Sequence, residues 1–97
     1  LCTFWLSKHT AGSVVEYHTD TDSGINKQFK YSAVLYLNDL DGTGVIKFPN
    51  INKEYSPNAG SLVMFPSDGQ EYYHGVDEIN GNRYSIAMWF SNKDYSI

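Results

Sequence analysis

The sequence predicts an all-β domain, a double-stranded β-helix (jelly roll) of about eight antiparallel strands. Three observations lead there. Apolar and aromatic residues come in short runs of strand length, with no sustained helical period. Gly, Asn, Asp and Pro break those runs at even intervals. The composition also suits pleated surfaces: 8 Tyr, 5 Phe and 2 Trp accompany many Val and Ile.

The first strand is expected at Thr3 to His9, ended by the Ala11-Gly12 turn, and the second at Ser13 to Thr19. The polar stretch Thr21 to Gln28 reads as a loop. A third strand covers Tyr31 to Leu37, stopped by Asn38-Asp39 and Asp41-Gly42. Val45 to Phe48 is the fourth, closed by Pro49-Asn50, which cannot continue a ladder. A short piece at Lys53 to Ser56 precedes the turn Pro57-Asn58-Ala59-Gly60. Ser61 to Phe65 follows, then the turn Pro66-Ser67-Asp68-Gly69, then Tyr72 to Val76. Asn80-Gly81-Asn82 turns into the last strand, Arg83 to Ser91.

Residues 1–97 read as one domain, near the lower end of what an unaided core supports. The chain begins at Leu1, which is compatible with its being the core of a longer protein. A net charge of −4 with no run of Lys or Arg argues against a nucleic-acid partner, because phosphate backbones are bound by clustered positive charge. Cys2 is the only cysteine, so no intrachain disulfide can form and a reducing cytoplasm is the expected location. Cys2 itself reads as a small apolar residue. No apolar run approaches the roughly 20 residues needed to span a bilayer, so no membrane partner is expected.

Strand parity separates two faces of the last strand. Arg83, Ser85, Ala87 and Trp89 share one; Tyr84, Ile86, Met88 and Phe90 share the other. Both carry apolar residues. The jelly-roll interior covers one, so the second is expected to lie under flanking helices outside this piece or under a second subunit, the plainer alternative being a partly exposed aromatic face.

Four residues carry chemistry. His18 and Asp20 are two apart at a strand end and therefore share a face; His74 lies on a later strand. Two imidazoles and one carboxylate can hold a ferrous ion on one side and leave its other positions open. Arg83, nine residues beyond His74 and across a turn, can take the far carboxylate of an organic acid that chelates the iron. Plainer readings stand beside these. A His-x-Asp pair is commonly a surface coincidence, His74 can be a hydrogen-bonded histidine among aromatics, and Arg83 can pair with Asp77 or Glu78 near the turn. His9 has no partner pattern and reads as an exposed strand residue.

An ordered set of segments weighs against coincidence. They are Gly12 to Asp20, Tyr31 to Asp39, Gly44 to Pro49, Pro57 to Phe65, His74-Gly75-Val76 and Gly81 to Phe90. They follow one another in order between residues 12 and 90, and the chain resembles the 2-oxoglutarate- and Fe(II)-dependent dioxygenases and most closely their prolyl-4-hydroxylase-like branch. The resemblance implies that His18, Asp20 and His74 hold iron and that Arg83 pairs with the distal carboxylate of 2-oxoglutarate. It places Trp89 at a pocket wall and Ser85 at the serine of an Arg-x-Ser pattern. Tyr31 and Tyr36 are the third-strand candidates for a further contact to 2-oxoglutarate, Tyr36 lying in a Tyr-Leu-Asn signature. Where relatives use a first-strand tyrosine, this chain offers Lys8 and His9. Collagen-type members carry lysine where Arg83 stands, so that subtype is not favoured. The paired glycines before the fourth strand appear here as Gly42-Thr43-Gly44.

The activity implied is hydroxylation of a carbon centre, a prolyl residue in a peptide being one candidate. 2-Oxoglutarate would be converted to succinate and CO2, with ascorbate a candidate accessory reductant. Related halogenases lack the carboxylate ligand; Asp20 is present, which favours hydroxylation. The alternative from another class is a non-catalytic jelly-roll binding or structural domain with a vestigial metal site. The substrate, a peptide or a small molecule, is not named by these residues. Its selection is expected in the Thr21–Lys30 loop, the Asn50–Ser56 stretch and whatever precedes Leu1.

Overall fold

A computed structural model of the chain describes residues 3–21, 27–40 and 43–91. Its strands are β1 (Thr3–His9), β2 (Val15–His18), β3 (Tyr31–Tyr36), β4 (Ile46–Phe48), β5 (Lys53–Tyr55), β6 (Leu62–Pro66), β7 (His74–Val76) and β8 (Arg83–Phe90). All pair antiparallel, in two four-stranded sheets ordered β1-β8-β3-β6 and β2-β7-β4-β5. This is the expected jelly roll, and there is no α-helix among the described residues. Pro49–Ile51 and Gln70–Tyr72 form single 3-10 turns; the second of these delays β7 from Tyr72 to His74. Cys2, part of the Thr21–Gln28 loop and the Asp41-Gly42 turn lie outside the described residues.

The core sits between the sheets at one end. Ile46, Phe48, Phe65, Val76 and Ile79 are buried there, flanked by Val15, Leu40, Val63 and Tyr72. Phe48 meets Phe65 edge-on at 5.0 Å, and both rings pack against the imidazole of His74 at 5.4 and 4.7 Å. The aromatic core thus helps to hold one chemically important side chain in place.

β2 is shorter than its expected span because its pairing with β7 is irregular. Val15 lies opposite Val76 and His18 opposite His74, so four residues of β2 face three of β7. That one-residue bulge matters. In a regular strand Val15 and His18 would point to opposite faces; the extra residue brings both toward the interior, where they line the same cavity. Gly75 permits it. A Cβ there would stand 2.7 Å from the Tyr17 ring and 2.9 Å from the Val15 carbonyl oxygen. Gly75→Ala is therefore expected to displace the bulge and cost about 1–3 kcal/mol, read as a lowered midpoint in thermal unfolding. A variant as stable as the parent would show that the bulge is not held by this contact.

The other sheet has the two faces that parity predicts. Phe4, Leu6, Leu62 and Met64, all 52–72% exposed, surround Ile86 and Met88 on its outer side. No described residue covers this surface.

Candidate metal and cosubstrate site

His18 ends β2, His74 begins β7 directly opposite it, and Asp20 follows β2 by two residues. Asp20 Oδ1 lies 3.0 Å from His18 Nε2 and 3.3 Å from His74 Nε2. The His74 and Asp20 side chains are 7% and 8% exposed, and that of His18 is 39% exposed. They form a group of three able to hold one metal ion.

The ring orientations follow from the backbone. His18 Nδ1 donates to the Glu16 carbonyl oxygen at 2.7 Å, and His74 Nδ1 to the Tyr72 carbonyl oxygen at 2.8 Å. A carbonyl can only accept, so Nδ1 carries the proton in each ring and Nε2 of the neutral ring presents a lone pair. Two such lone pairs converge on a carboxylate oxygen. With no cation among them, these atoms hold together only through protons on Nε2; a divalent cation can take the protons' place. The donor set therefore fits a metal.

Asp20 is prepared as an anion. Burial pushes its pKa up, but hydrogen bonds from His18, His74 and Ser32, with the charge of His74, outweigh burial and hold it far below the carboxylate range. Its second oxygen is also engaged: the Trp89 indole N–H donates to Oδ2 at 3.0 Å. Trp89 is in turn stacked on Phe29 and met edge-on by Trp5. One oxygen of Asp20 faces the histidines and the other is tied away from them. Beyond the group, Thr21 donates to Asp68 at 2.6 Å and holds the segment that carries Asp20.

A cavity of about 210 Å³ lies between the sheets, bordered by His18, Asp20 and His74 at one part and by His9, Tyr36 and Arg83 at another. This is below the roughly 300–1,000 Å³ of sites for drug-sized ligands and suits a compact molecule. Arg83 is 6% exposed and its guanidinium lies over the Tyr36 ring at 5.6 Å. Burial lowers its pKa, yet an arginine stays charged. Asp77, the surface partner considered for it, instead binds Lys47 Nζ at 2.8 Å. Two buried side-chain atoms here have no hydrogen-bond partner among the described residues, Arg83 Nε and the Tyr36 hydroxyl. Burial raises the Tyr36 pKa, with Arg83 opposing, so the hydroxyl keeps its proton. Leaving such donors unmet costs about 1–3 kcal/mol each. A carboxylate is one group that can meet both.

The structure sorts the remaining candidates. Ser85 is buried on the Arg83 face, opposite Ser7 and Tyr36 in register. Trp89 lines the cavity and also contacts Asp20. Tyr31 requires a correction: it is 48% exposed and stands away from the cavity, because its parity is opposite to that of Tyr36. His9 requires another. It is half-buried rather than an exposed strand residue, and it contacts Arg83. Sequence reasoning also missed the roles of Ser32 and of the Trp89 indole toward Asp20.

A model of the family described as the 2OG-Fe(II) oxygenase superfamily matches residues 4–91, from within β1 past the end of β8. The chain belongs to that superfamily. Solved structures similar to this chain include a Pseudomonas putida prolyl-4-hydroxylase, with 28% identity and a TM-score of 0.75 over 93% of this chain and 52% of that one. A viral collagen prolyl hydroxylase from Paramecium bursaria Chlorella virus-1, solved as its 2OG complex, matches at 15% identity and a TM-score of 0.76, over 97% of this chain and 63% of that one. An oxidoreductase of the 2OG-Fe(II) oxygenase family from Burkholderia pseudomallei matches at 17% identity and a TM-score of 0.71, over 93% and 45%. The chain thus spans 45–63% of the length of these relatives. No curated protein matches it.

Proposed function

We propose that this chain is the catalytic core of a 2-oxoglutarate- and Fe(II)-dependent dioxygenase that hydroxylates a carbon centre. The observation that carries the reading is the pairing of two features in one cavity. Three lone-pair donors converge at one part, and a buried arginine without a carboxylate partner among the described residues stands at another. Nε2 of His18, Nε2 of His74 and Oδ1 of Asp20 would hold the iron, and Arg83 with the Tyr36 hydroxyl would hold the distal carboxylate of 2-oxoglutarate. Bound together, iron and 2-oxoglutarate supply the oxidising power, with succinate and CO2 released.

The protein's own contribution is placement. The Glu16 and Tyr72 carbonyls aim the two imidazoles. The Trp89 N–H occupies the second oxygen of Asp20, so this carboxylate offers one ligand atom and leaves room for others. Phe48 and Phe65 keep water from the inner side of His74. Trp5, on the cavity face but 65% exposed, stands where a substrate would arrive.

A prolyl residue in a peptide is the substrate class we favour, on the strength of the likeness to the P. putida prolyl-4-hydroxylase. Ascorbate is retained as an accessory reductant to be tested. We place residues 1–97 in a single domain, cytoplasmic by its lone cysteine, with a covering segment or second subunit over the outer face of the β1-β8-β3-β6 sheet. Within the described residues, no helix is long and apolar enough to cross a membrane.

The test is succinate formation by the full-length protein with Fe(II), 2-oxoglutarate and prolyl peptides, with and without ascorbate. Iron-dependent succinate that rises with peptide and vanishes in His74→Ala is the expected result. Absence of both iron binding and turnover would instead favour the non-catalytic jelly-roll domain.

A further inference from the structure

We propose that His9 is a positioning residue: by accepting a hydrogen bond from Arg83 it sets the guanidinium so that the site prefers 2-oxo acids bearing a second, distal carboxylate. This rests on the reading of Arg83 as the cosubstrate anchor given above.

His9 is the last residue of β1 and lies directly opposite Arg83, the first residue of β8. Its parity places it on the cavity face with Trp5 and Ser7. Arg83 Nη2 lies 3.2 Å from His9 Nδ1. A guanidinium has no acceptor, so the arginine donates and Nδ1 must present a lone pair. That requires a neutral ring with its proton on Nε2. Burial and then the nearby Arg83 charge both lower the His9 pKa, which keeps the acceptor available at neutral pH.

The small cleft around His9 and Arg83 is lined by Ser13, Val14, Val15, Val76 and Ile79, none of them titratable. A buried guanidinium carries five N–H donors, of which a carboxylate engages two. Rotation about the Cδ–Nε bond would swing the whole fork. One acceptor fixed on a neighbouring strand stops that rotation while leaving Nε, which has no partner among the described residues, directed to other use. The hydrogen bond of the His9 side chain runs to Arg83 and not to His18, Asp20 or His74. Its effect should therefore reach only ligands that extend as far as Arg83.

The experiment is an anaerobic titration of 2-oxoglutarate, and separately of 2-oxobutyrate, into the Fe(II)-loaded full-length protein. Binding is followed by the visible charge-transfer absorption of an iron-bound 2-oxo acid. 2-Oxobutyrate keeps the chelating end and lacks the distal carboxylate. In His9→Leu, 2-oxoglutarate binding is expected to weaken about tenfold, as for loss of one charge-assisted hydrogen bond, with 2-oxobutyrate and iron affinity unaltered. His9→Asn keeps an acceptor oxygen close to the place of Nδ1 and is expected to recover most of the loss. Unchanged 2-oxoglutarate affinity in His9→Leu, equal weakening of both acids, or no recovery in His9→Asn would overturn the inference. A parent protein that binds neither acid, or does not prefer 2-oxoglutarate, would overturn the anchor reading itself and this inference with it.

Discussion

Asp20→Asn is expected to abolish iron-dependent conversion of 2-oxoglutarate while leaving the metal-free fold intact. The substitution keeps shape and removes the charge. Loss of an outer-shell partner of a metal ligand typically costs about 10–100-fold in affinity; loss of the only carboxylate in this group should cost more. The fold should tolerate the change for a local reason. In the parent, Asp20 Oδ1 faces two imidazole Nε2 atoms at 3.0 and 3.3 Å, an arrangement that needs protons or a cation between them. An amide N–H can donate to one Nε2 directly, and the amide oxygen can still accept from Trp89. Unfolding in the presence of a chelator should stay cooperative, at a cost of about 1–3 kcal/mol for the charge-assisted bonds that the amide replaces. Adding Fe(II) should raise the parent's melting temperature by mass action and leave that of Asp20→Asn unmoved. A variant that binds iron like the parent would remove Asp20 from the ligand set.

The second large effect is expected at Arg83. Arg83→Met keeps the aliphatic stem beside Gly44, whose position lies within 3.7 Å of Arg83 Cδ for an added Cβ, and removes the guanidinium. Truncating one partner of a buried charged pair costs about 2–5 kcal/mol, so 2-oxoglutarate binding should weaken by roughly thirty- to several-thousand-fold. Affinity for 2-oxobutyrate should hold, because nothing in that molecule reaches Arg83. The unliganded protein should be as stable as the parent or more so. It loses a buried charge that pairs with no carboxylate among the described residues and whose Nε has no acceptor. Loss of stability together with unchanged 2-oxoglutarate affinity would mark Arg83 as a structural residue.

Much of this architecture was legible in the sequence because local chemistry and topology agree. Aromatic and β-branched runs between Gly, Pro, Asn and Asp breakers place all eight strands in order. Parity alone puts Arg83, Ala87 and Trp89 on the inner side of β8, and all three line the cavity. Spacing puts His18 and Asp20 side by side. The failures have a common cause. The bulge that shortens β2 depends on its pairing with β7, since only a partner strand defines an extra residue. His9 acquires its role through register with Arg83, 74 positions away, and Trp89 through contact with Asp20 across 69. A one-residue slip in either ladder would turn those side chains away. Tyr31 could have been set aside by parity once Tyr36 was known to face inward.

The central claim is that one cavity holds a metal through His18, Asp20 and His74 and a dicarboxylic 2-oxo acid through Arg83. A crystal structure of the full-length protein grown without oxygen, with Fe(II) and 2-oxoglutarate, tests it most directly. The expected result is iron coordinated by Nε2 of both histidines and one oxygen of Asp20, with the distal carboxylate of 2-oxoglutarate on Arg83 and the Tyr36 hydroxyl. Iron held by other residues, or a distal carboxylate directed away from Arg83, would contradict it.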